Sequence, residues 1–462
     1  IEKYKDHPSI KRIKANVTFS KRFHFEPVDE STINDRIDNL NKKKPTTFGN
    51  IPVWLLKENK DIISPIITEM YNDSSCNSIF PNSLKLADVT PIYKKDDRNK
   101  KEQYRPVSIL PPISKIYEKN MYDQILSYID KFLSPYLCGF RKGYSTQHCL
   151  AIMIDRWQKA IDNGQLAGAL LTDLSKAFDC LNHELLIAKL EAYGFDKASL
   201  QYVYSYLSGR KQRTKVNNSF SEWCNILFGV PQGSNLGPLL FNIYINDIFL
   251  FVSKGDIANY ADDTTPYLTK ANLDSLMYAL EVDTNILIKW FEDNYLKLNT
   301  DKCHLLVSNH VEGAFLNAAD DIIECENSVK LLGVTIDNNL NFQEHVSRLC
   351  KKANQKLHAL VRISNFMSKE KLRILMKAFI ESQFAYCPLI WMFHGRTLNN
   401  EINRIHERAL RFAYKDPFST FQELLRKDKT FSIHHKNLQK LAIEMYKSLN
   451  NLSPPFIKII FP

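Results

Sequence analysis

The sequence lacks paired cysteines, a long apolar run and internal repeats. Its nine cysteines include no Cys-x-x-Cys pair and have no regular spacing, which argues against a zinc site. Scattered, unpaired cysteines are typical of a reducing, intracellular compartment. The most apolar stretch, residues 239–252, is interrupted by Asn242, Asn246 and Asp247 and therefore predicts no membrane span. The chain opens without a signal-peptide pattern. It begins with Ile1 instead of Met, which is compatible with an excerpt of a longer protein.

The composition is that of a folded protein with a modest basic excess. At 462 residues the chain exceeds the size of a single core, so two to four subdomains are expected. A hydrophobic content of 44% and an aromatic content of 11% argue against disorder. The net charge of +10 fits either an ordinary solvated basic surface or a cleft that binds phosphates. Charge alone does not decide between these two interpretations.

The most informative local feature is a pair of adjacent carboxylates, Asp262 and Asp263, between two strand-like segments. The pattern predicts a hairpin with the acidic pair at its tip, since Asp tolerates the backbone angles of such turns. An isolated pair of this kind is usually a solvated turn, but Asp173 also ends an apolar run at 169–172. Three neighbouring carboxylates repel one another unless a cation offsets their charge. Mg²⁺ suits such ligands, and two ions form the clamp used by polymerases.

Strand and helix patterns alternate through the middle of the chain, and helical patterns dominate from Glu344 onward. This order predicts an α+β core followed by a helical C-terminal module. The predicted helices cover 51–75 (closed by a turn at 72–75), 112–130, 145–162, 182–194, 202–207, the residues after Pro238, and 273–294. The predicted strands cover 85–93, 106–110, a hairpin at 214–228, 302–307 and 330–336.

Several short segments follow one another in a fixed order. They are Ala-Asp-Val-Thr-Pro-Ile-Tyr-Lys-Lys at 87–95 with Tyr-Arg-Pro-Val-Ser at 104–108, Gly-Phe-Arg-Lys-Gly-Tyr-Ser-Thr at 139–146, Leu-Thr-Asp-Leu-Ser-Lys-Ala-Phe-Asp at 171–179, Gly-Val-Pro-Gln-Gly-Ser at 229–234, Tyr-Ala-Asp-Asp at 260–263, Lys-Leu-Leu-Gly-Val at 330–334 and Ile-His-Glu-Arg-Ala-Leu-Arg at 405–411. Together they resemble the reverse transcriptases of non-LTR (LINE-type) retrotransposons, in particular jockey-like mobile elements. The resemblance covers about residues 25–460.

The resemblance implies an α+β right-hand polymerase. Such a protein has fingers, a palm made of an antiparallel sheet backed by helices, and a helical thumb. The implied divisions are an N-terminal extension with the start of the fingers (1–75), the fingers (76–165), the palm (166–312), primer-grip-like strands (313–343), and the thumb with the C-terminal region (344–462). Pro266 departs from expectation, because a proline after the acidic pair belongs only at a sheet edge or bulge.

The resemblance also implies roles at a catalytic centre. Asp173 and Asp262 are the implied metal ligands, with the carbonyl of Leu174 as a third and Asp263 as a weaker candidate. The metal is implied to be two Mg²⁺ ions, with Mn²⁺ as an alternative. Lys302 is either a proton donor to the leaving pyrophosphate or an ordinary surface lysine. Asp179 is expected to have a structural role.

Further residues are implied to bind substrate and nucleic acid. Substrate contacts are expected from Lys94, Arg105, Phe178, Gln232 and Gly233, with Phe178 placed to exclude a ribose 2′-hydroxyl. The alternatives are a fingers salt bridge for Arg105 and a core position for Phe178. Nucleic-acid contacts are expected from Arg141, Leu332, Gly333, Arg404, Arg408 and Arg411. The last three form one helical stripe, which is either a grip on the duplex backbone or a solvated face.

The function implied is RNA-directed DNA synthesis that extends a DNA 3′ end with dNTPs. The partners would be an RNA template, a DNA primer and an endonuclease activity from elsewhere in the element. The expected location is intracellular: the nucleus, for integration, with the cytoplasm as the alternative. A second hypothesis is an inactive or domesticated remnant that only binds nucleic acid. A viral-type RNA polymerase is disfavoured, because Gly-Asp-Asp would be expected where Ala261 precedes the acidic pair.

Overall fold

The computed structural model describes residues 2–47, 49–217, 219–309, 313–318 and 321–461. The helices are α1 (Pro8–Asn16), α2 (Glu30–Asp38), α3 (Val53–Glu58), α4 (Lys60–Cys76), α5 (Pro112–Ile129), α6 (Thr146–Asp162), α7 (His183–Ala192), α8 (Lys197–Leu207), α9 (Gly237–Ile245), α10 (Leu273–Asp293), α11 (Gln343–Ile363), α12 (Lys369–Phe379), α13 (Pro388–Trp391), α14 (Arg396–Tyr414), α15 (Phe421–Asp428), α16 (Ile433–Leu449) and α17 (Ile457–Ile460). The strands are β1 (Leu86–Tyr93), β2 (Tyr104–Ile109), β3 (Leu166–Leu171), β4 (Arg210–Val216), β5 (Ser219–Phe220), β6 (Cys224–Ile226), β7 (Asp256–Tyr260), β8 (Asp263–Lys270), β9 (His304–Val307), β10 (Phe315–Ala318), β11 (Asp321–Glu326), β12 (Ser328–Leu331) and β13 (Val334–Asp337).

The chain divides into two compact units, and neither is continuous in sequence. The first unit comprises the described parts of Ile1–Ser134, Leu174–Val252 and Ile286–Leu298. The second comprises the described parts of Pro135–Asp173, Ser253–Asn285 and Asn299–Pro462. The domain boundaries expected from the sequence stay a prediction.

The first unit is built on a mixed sheet with the order β2-β1-β4-β5, and β6 also pairs with β4. Strands β1 and β2 are antiparallel, whereas β1 and β4 are parallel. Helix α7 has a side-chain cap at its N-terminus, because the Asn182 side chain accepts a hydrogen bond from the backbone N–H of Leu185. A fully buried ion pair joins Lys189 Nζ to Asp247 Oδ1 at 2.6 Å. Such a pair must keep both partners, since removing one leaves an uncompensated buried charge.

The second unit contains a sheet with the order β10-β11-β9-β3-β8-β7. Strand β3 is central and antiparallel to both of its neighbours, β8 and β9. Its sequence, Leu-Ala-Gly-Ala-Leu-Leu, is apolar throughout because five of its six residues are buried. Helix α6 packs against β3, β7 and β8 and carries the buried Trp157. This packing fixes the strand ends from which the acidic side chains project.

The C-terminal part of the second unit is helical, as predicted from Glu344 onward. Helix α11 packs against α12 and α14. Its apolar stripe is buried at Val346, Ala353 and Leu357, while Lys351 and Lys352 are exposed. The amphipathic spacing of its residues matches the face of α11 that enters the core.

Three local predictions are wrong. Helix α4 continues through residues 72–75, because tertiary contacts override their turn propensity. The Asn72 side chain accepts a hydrogen bond from the backbone N–H of Val28 and donates one to its carbonyl, both at 2.9 Å.

The strand predicted at 330–336 is instead the β12–β13 hairpin. Pro266 lies in β8, which has a strand on each side and is no edge. Strand β8 pairs with β3 as far as Ala169 opposite Tyr267, and pairing resumes only at an isolated bridge between Thr172 and Thr264. The pairing is therefore interrupted at Pro266, which has no backbone N–H to donate. The α+β fold class is confirmed.

Candidate active site

The acidic pair lies in a tight hairpin formed by β7 and β8. Tyr260 pairs with Asp263, so Ala261 and Asp262 are the two turn residues. The positive φ falls on Ala261, at 59°, and not on either aspartate. The predicted hairpin is confirmed, but only Asp262 occupies its tip while Asp263 begins β8. A left-handed alanine costs about 1 kcal/mol or more, so neighbouring contacts must hold this backbone in place.

Asn259 is one of those contacts. This fully buried side chain donates from Nδ2 to the carbonyl of Ala261 at 3.1 Å and to Thr264 Oγ1 at 3.0 Å. Its backbone carbonyl accepts a hydrogen bond from the N–H of Cys138 at 3.1 Å. The side chain of Asn259 thus ties the two sides of the turn together, and its backbone carbonyl joins them to the segment that begins at residue 138.

Gly139 fits directly against the turn. A Cβ atom at this position would lie 2.4 Å from the backbone nitrogen of Ala261 and 2.9 Å from its Cα. Both distances are shorter than a van der Waals contact, so only glycine permits this approach. The segment at 139–146 therefore packs against the backbone of the acidic hairpin, in addition to any contact that it makes with nucleic acid.

Asp173 is brought beside the hairpin by an extension of β3. Thr172 bridges Thr264, with its N–H and its Oγ1 both donating to the Thr264 carbonyl at 3.1 and 2.6 Å. The next pair in this antiparallel register is Asp173 with Asp263. The Asp173 carbonyl accepts from the N–H of Asn299 at 2.9 Å, which holds the strand end. The three predicted acids therefore meet in the second unit.

The electrostatics of the acids reflect their proximity. The pKa of Asp263 is raised to about 6, first by burial and then by the negative charges of Asp262 and Asp173. Lys302 Nζ lies 3.2 Å from Asp173 Oδ2 and offsets part of that charge. Both side chains are substantially exposed, at 62% and 39%, so this pair contributes little to stability.

The oxygen-only donor set suits a hard divalent cation. Asp173, Asp262 and Asp263 supply carboxylate oxygens, and the charges of Asp262 and Asp173 help to raise the pKa of Asp263, an effect that a bound cation would relieve. Within the described ranges, no group of three or more His, Cys, Asp or Glu side chains is placed to hold a metal ion by itself. An ion at these acids would therefore need further oxygens, such as the water and phosphate that usually complete the shell of Mg²⁺.

The predicted base-pair contacts lie in the first unit. The carbonyl of Gln232 accepts from the N–H of Ser108 on β2 at 2.8 Å. A Cβ atom at Gly233 would lie 2.6 Å from the Ser108 carbonyl oxygen, so this glycine permits close contact with the strand. The side chain of Gln232 donates to Asp179 Oδ1 at 3.0 Å, which gives Asp179 the structural role expected of it.

The other first-unit candidates differ in their surroundings. Phe178 is half-buried, and its ring stacks on Phe241 with centroids 4.3 Å apart. Arg105 is exposed on β2 opposite Ile92, and across the residues that the structure describes it forms no ion pair. The described residues therefore show no fingers salt bridge for Arg105, and its role stays a prediction. Lys94 is also exposed, and Leu174, which follows Asp173, pairs with Leu298.

The residues expected to contact nucleic acid also differ. Arg404 and Arg408 on α14 are exposed, with Arg408 reaching Asn354 at 3.4 Å. Arg411 instead binds Glu407 within the same helix at 2.7 Å and reaches the Pro417 carbonyl. The stripe expected from the sequence therefore has two outward-facing members and one engaged in local contacts.

The other three candidates for nucleic-acid contact lie elsewhere in the second unit. Arg141 places its guanidinium 4.4 Å from the ring centroid of Tyr144. Leu332 and Gly333 form the turn between β12 and β13. Strand β13 is tied to α11, because the N–H of Thr335 donates to Nδ1 of the buried His345 at 3.2 Å.

A family model described as "Reverse transcriptase (RNA-dependent DNA polymerase)" matches residues 92–336, more than half of the chain. The chain belongs to the reverse transcriptase family. The match spans both acidic segments, the Gly-Val-Pro-Gln-Gly loop and the β12–β13 hairpin except its last residue. The α+β right-hand polymerase implied by the resemblance is confirmed. Reverse transcriptases generally use divalent metal ions.

The chain is similar to curated proteins of non-LTR retrotransposons. It is 26% identical over 421 residues to a probable RNA-directed DNA polymerase from transposon BS of Drosophila melanogaster, covering 87% of this chain and 46% of that protein. It is 26% identical over 413 residues to an RNA-directed DNA polymerase from mobile element jockey of Drosophila funebris, covering 83% and 44%. The resemblance to jockey-like elements is confirmed. The chain spans less than half the length of these two relatives.

Sequence reasoning missed several residues that shape this site. The sequence does hint at the role of Asn259, because it is a polar residue beside buried apolar ones in the strand that leads into the turn. Gly139 belongs to the segment at 139–146, but no local feature of the sequence indicates that it meets Ala261. No helix in the described part of the chain is long and apolar enough to cross a membrane.

Proposed function

We propose that this chain is an RNA-directed DNA polymerase of a non-LTR retrotransposon, which extends a DNA 3′ end with dNTPs. The observation that carries the proposal is the meeting of Asp173, Asp262 and Asp263 at the ends of β3 and β8, within the residues that match the family. Catalysis in phosphoryl transfer is mostly positioning and charge stabilisation, which a rigid acidic hairpin beside a central strand is suited to provide.

We propose two Mg²⁺ ions as cofactor, with Mn²⁺ as a possible substitute. Asp173 and Asp262 would hold them, assisted by Asp263 and by the carbonyl of Leu174. When bound, such ions supply charge stabilisation for the attacking and leaving oxygens. Lys302, held beside Asp173, is proposed to deliver a proton to pyrophosphate.

Substrate selection is assigned to residues of the first unit. The exposed guanidinium of Arg105 suits bidentate contact with a triphosphate, and Lys94 is proposed to assist it. Gln232 and Gly233, held against Ser108, are proposed to line the nascent base pair. The ring of Phe178 is proposed to exclude the 2′-hydroxyl of ribonucleotides.

Nucleic-acid binding is assigned to the second unit. Arg404 and Arg408 are proposed to grip duplex phosphates, with Arg141 and the Leu332-Gly333 turn near the primer. The proposed partners are an RNA template, a DNA primer and an endonuclease activity of the same element. The proposed location is the nucleus, where integration takes place.

The alternative is a remnant that binds nucleic acid without catalysis. The presence of all three acids and of the close-packed Gly139 and Gly233 favours an active enzyme. The test is incorporation of dTTP on a poly(rA)–oligo(dT) template with Mg²⁺, with Mn²⁺ and with EDTA. Synthesis with either metal and none with EDTA supports the proposal. Tight binding of the same duplex with no synthesis under any condition would establish the remnant.

A further inference from the structure

The turn between β12 and β13 has an unfavourable sequence for its geometry. Leu331 pairs with Val334, which leaves Leu332 and Gly333 as a two-residue turn, and both have positive φ angles, 46° and 86°. Positive φ at both central residues defines the type I′ turn, for which Asn-Gly is strongly preferred. A leucine in the left-handed region is strained and persists only when surrounding contacts fix it.

Tyr386 supplies that contact. Its hydroxyl lies 2.6 Å from the carbonyl oxygen of Leu332 and donates a hydrogen bond to it. Its ring lies under the turn, since a Cβ atom at Gly333 would be 3.1 Å from the ring carbon Cε1. One side chain therefore fixes both turn residues, one by a hydrogen bond and the other by packing.

Tyr386 is itself firmly held. Its backbone carbonyl accepts from Nε1 of the fully buried Trp391 at 2.9 Å. Its hydroxyl also lies 3.1 Å from Oγ1 of Thr146, at the start of α6. Helix α6 packs against β7 and β8, the strands of the acidic hairpin. Tyr386 therefore links the β12–β13 turn to the same helix that supports Asp262 and Asp263.

The acidic hairpin and the β12–β13 turn also pack against the same core. Tyr260 and Leu332 pack against one continuous hydrophobic core of the second unit. No sequence motif singled out Tyr386, which stands 54 residues from Leu332.

We infer that Tyr386 is a positioning residue that sets the place of the Leu332-Gly333 turn relative to the acidic hairpin, and so aligns the primer 3′ end for extension. This inference rests on the proposed function, in which the turn contacts the primer. Tyr386 touches no reacting atom. Its effect is exerted through the carbonyl of Leu332.

The test is Tyr386→Phe, which removes only the hydroxyl. The apparent KM for a poly(rA)–oligo(dT) primer–template should rise roughly threefold to tenfold, as expected for one lost hydrogen bond. The KM for dTTP and the thermal unfolding midpoint should stay at the wild-type values. Tyr128→Phe is the matched control, because its hydroxyl also bonds a backbone carbonyl, that of Tyr193 at 3.0 Å. It should leave the primer KM unchanged.

A double-mutant cycle separates positioning from a general structural effect. Leu332→Asn creates an Asn-Gly turn that adopts the type I′ geometry without help. In that background, Tyr386→Phe should change the primer KM less than twofold, whatever the single change at 332 does. An equal effect in both backgrounds, or a fall in kcat and thermal midpoint with primer KM unchanged, would overturn the inference.

A readout without catalysis distinguishes this inference from the proposed function. Wild-type protein that binds the duplex but synthesises no DNA refutes the proposed function alone. Hydrogen–deuterium exchange then decides on the contact: Tyr386→Phe should speed exchange of the amides at 331–334 at least threefold, and Tyr128→Phe should not. Unchanged exchange in the turn would show that Tyr386 does not position it.

Discussion

The close contact between Gly139 and the acidic hairpin gives a prediction that depends on a single methyl group. In Gly139→Ala the new Cβ would meet the backbone nitrogen of Ala261 at 2.4 Å. A comfortable contact needs about 1 Å more, so one backbone must move by that amount. The Cys138–Asn259 hydrogen bond holds the two segments together, so the movement falls on the turn that carries Asp262.

The expected magnitude follows from this displacement. Overpacking of a rigid site costs about 1–3 kcal/mol of folding stability. A misplacement of about 1 Å at a catalytic group lowers the rate by about a hundredfold. We therefore expect kcat for dTTP incorporation to fall by one to two orders of magnitude. Affinity for the duplex should change by less than about threefold, because the contact lies beneath the hairpin.

The assay compares Gly139→Ala with Gly395→Ala in steady-state incorporation and in duplex binding. A Cβ atom at Gly395 would meet no described atom within 4 Å, and its φ of −64° suits any residue. Ala261→Gly should not rescue Gly139→Ala, because the clash is with the nitrogen and Cα of residue 261 and not only with its methyl group. Activity of Gly139→Ala within threefold of Gly395→Ala would refute the reasoning.

The remaining predictions concern sugar selection, salt dependence and pH. Phe178→Val should raise kcat/KM for UTP relative to dTTP by about tenfold or more; an unchanged ratio with lowered stability would make this ring an ordinary core aromatic. Replacing Arg404 and Arg408 together with Ala should flatten the slope of log K for duplex binding against log salt by about one to two units. Arg411→Ala should barely alter that slope, because Arg411 is already paired with Glu407. Equal slopes for all variants would show that these arginines form only a solvated face. Burial, and then nearby positive charges, lower the pKa of His345 to about 4. As pH falls, the unfolded state therefore binds a proton at this residue before the folded state does. The free energy that the neutral His345 contributes to folding is fully present above pH 6.5 and is lost as pH falls towards 4. Between pH 7.5 and pH 5 the loss should be about 2 kcal/mol, measured by urea unfolding, and His345→Gln should remove most of that dependence; an unaltered pH profile in this variant would contradict the assignment.

The sequence predicted the parts of the site that depend on local pattern. The acidic hairpin at 260–263 and the capped helix α7 follow from turn and cap residues within a few positions of one another. The buried face of α11 follows from its spacing. Asp173 could be paired with Asp262 because an acid at the end of an apolar run is itself a local signal.

The parts that the sequence did not predict depend on contacts between distant segments. The approach of Gly139 to Ala261 and the bond from Tyr386 to Leu332 join residues with no shared periodicity. Lys330 to Ile336 reads as one strand, since β-branched and apolar residues flank the turn and leucine is unfavourable in it. Pro266 lies in an inner strand for a related reason. The pairing of β8 with β3 is interrupted beside it, and residue propensity does not reveal such a local interruption.

The measurement that tests the central claim most directly is DNA synthesis by Asp262→Asn on an RNA template. The amide removes one negative charge and one coordinating oxygen with little change in volume. Wild-type protein should incorporate dTTP on poly(rA)–oligo(dT), while Asp262→Asn should lose at least a thousandfold in kcat, about 4 kcal/mol in the barrier, and bind the duplex as tightly as wild type. Activity of Asp262→Asn within about tenfold of wild type would contradict the account, because the acidic hairpin would then not be the catalytic centre.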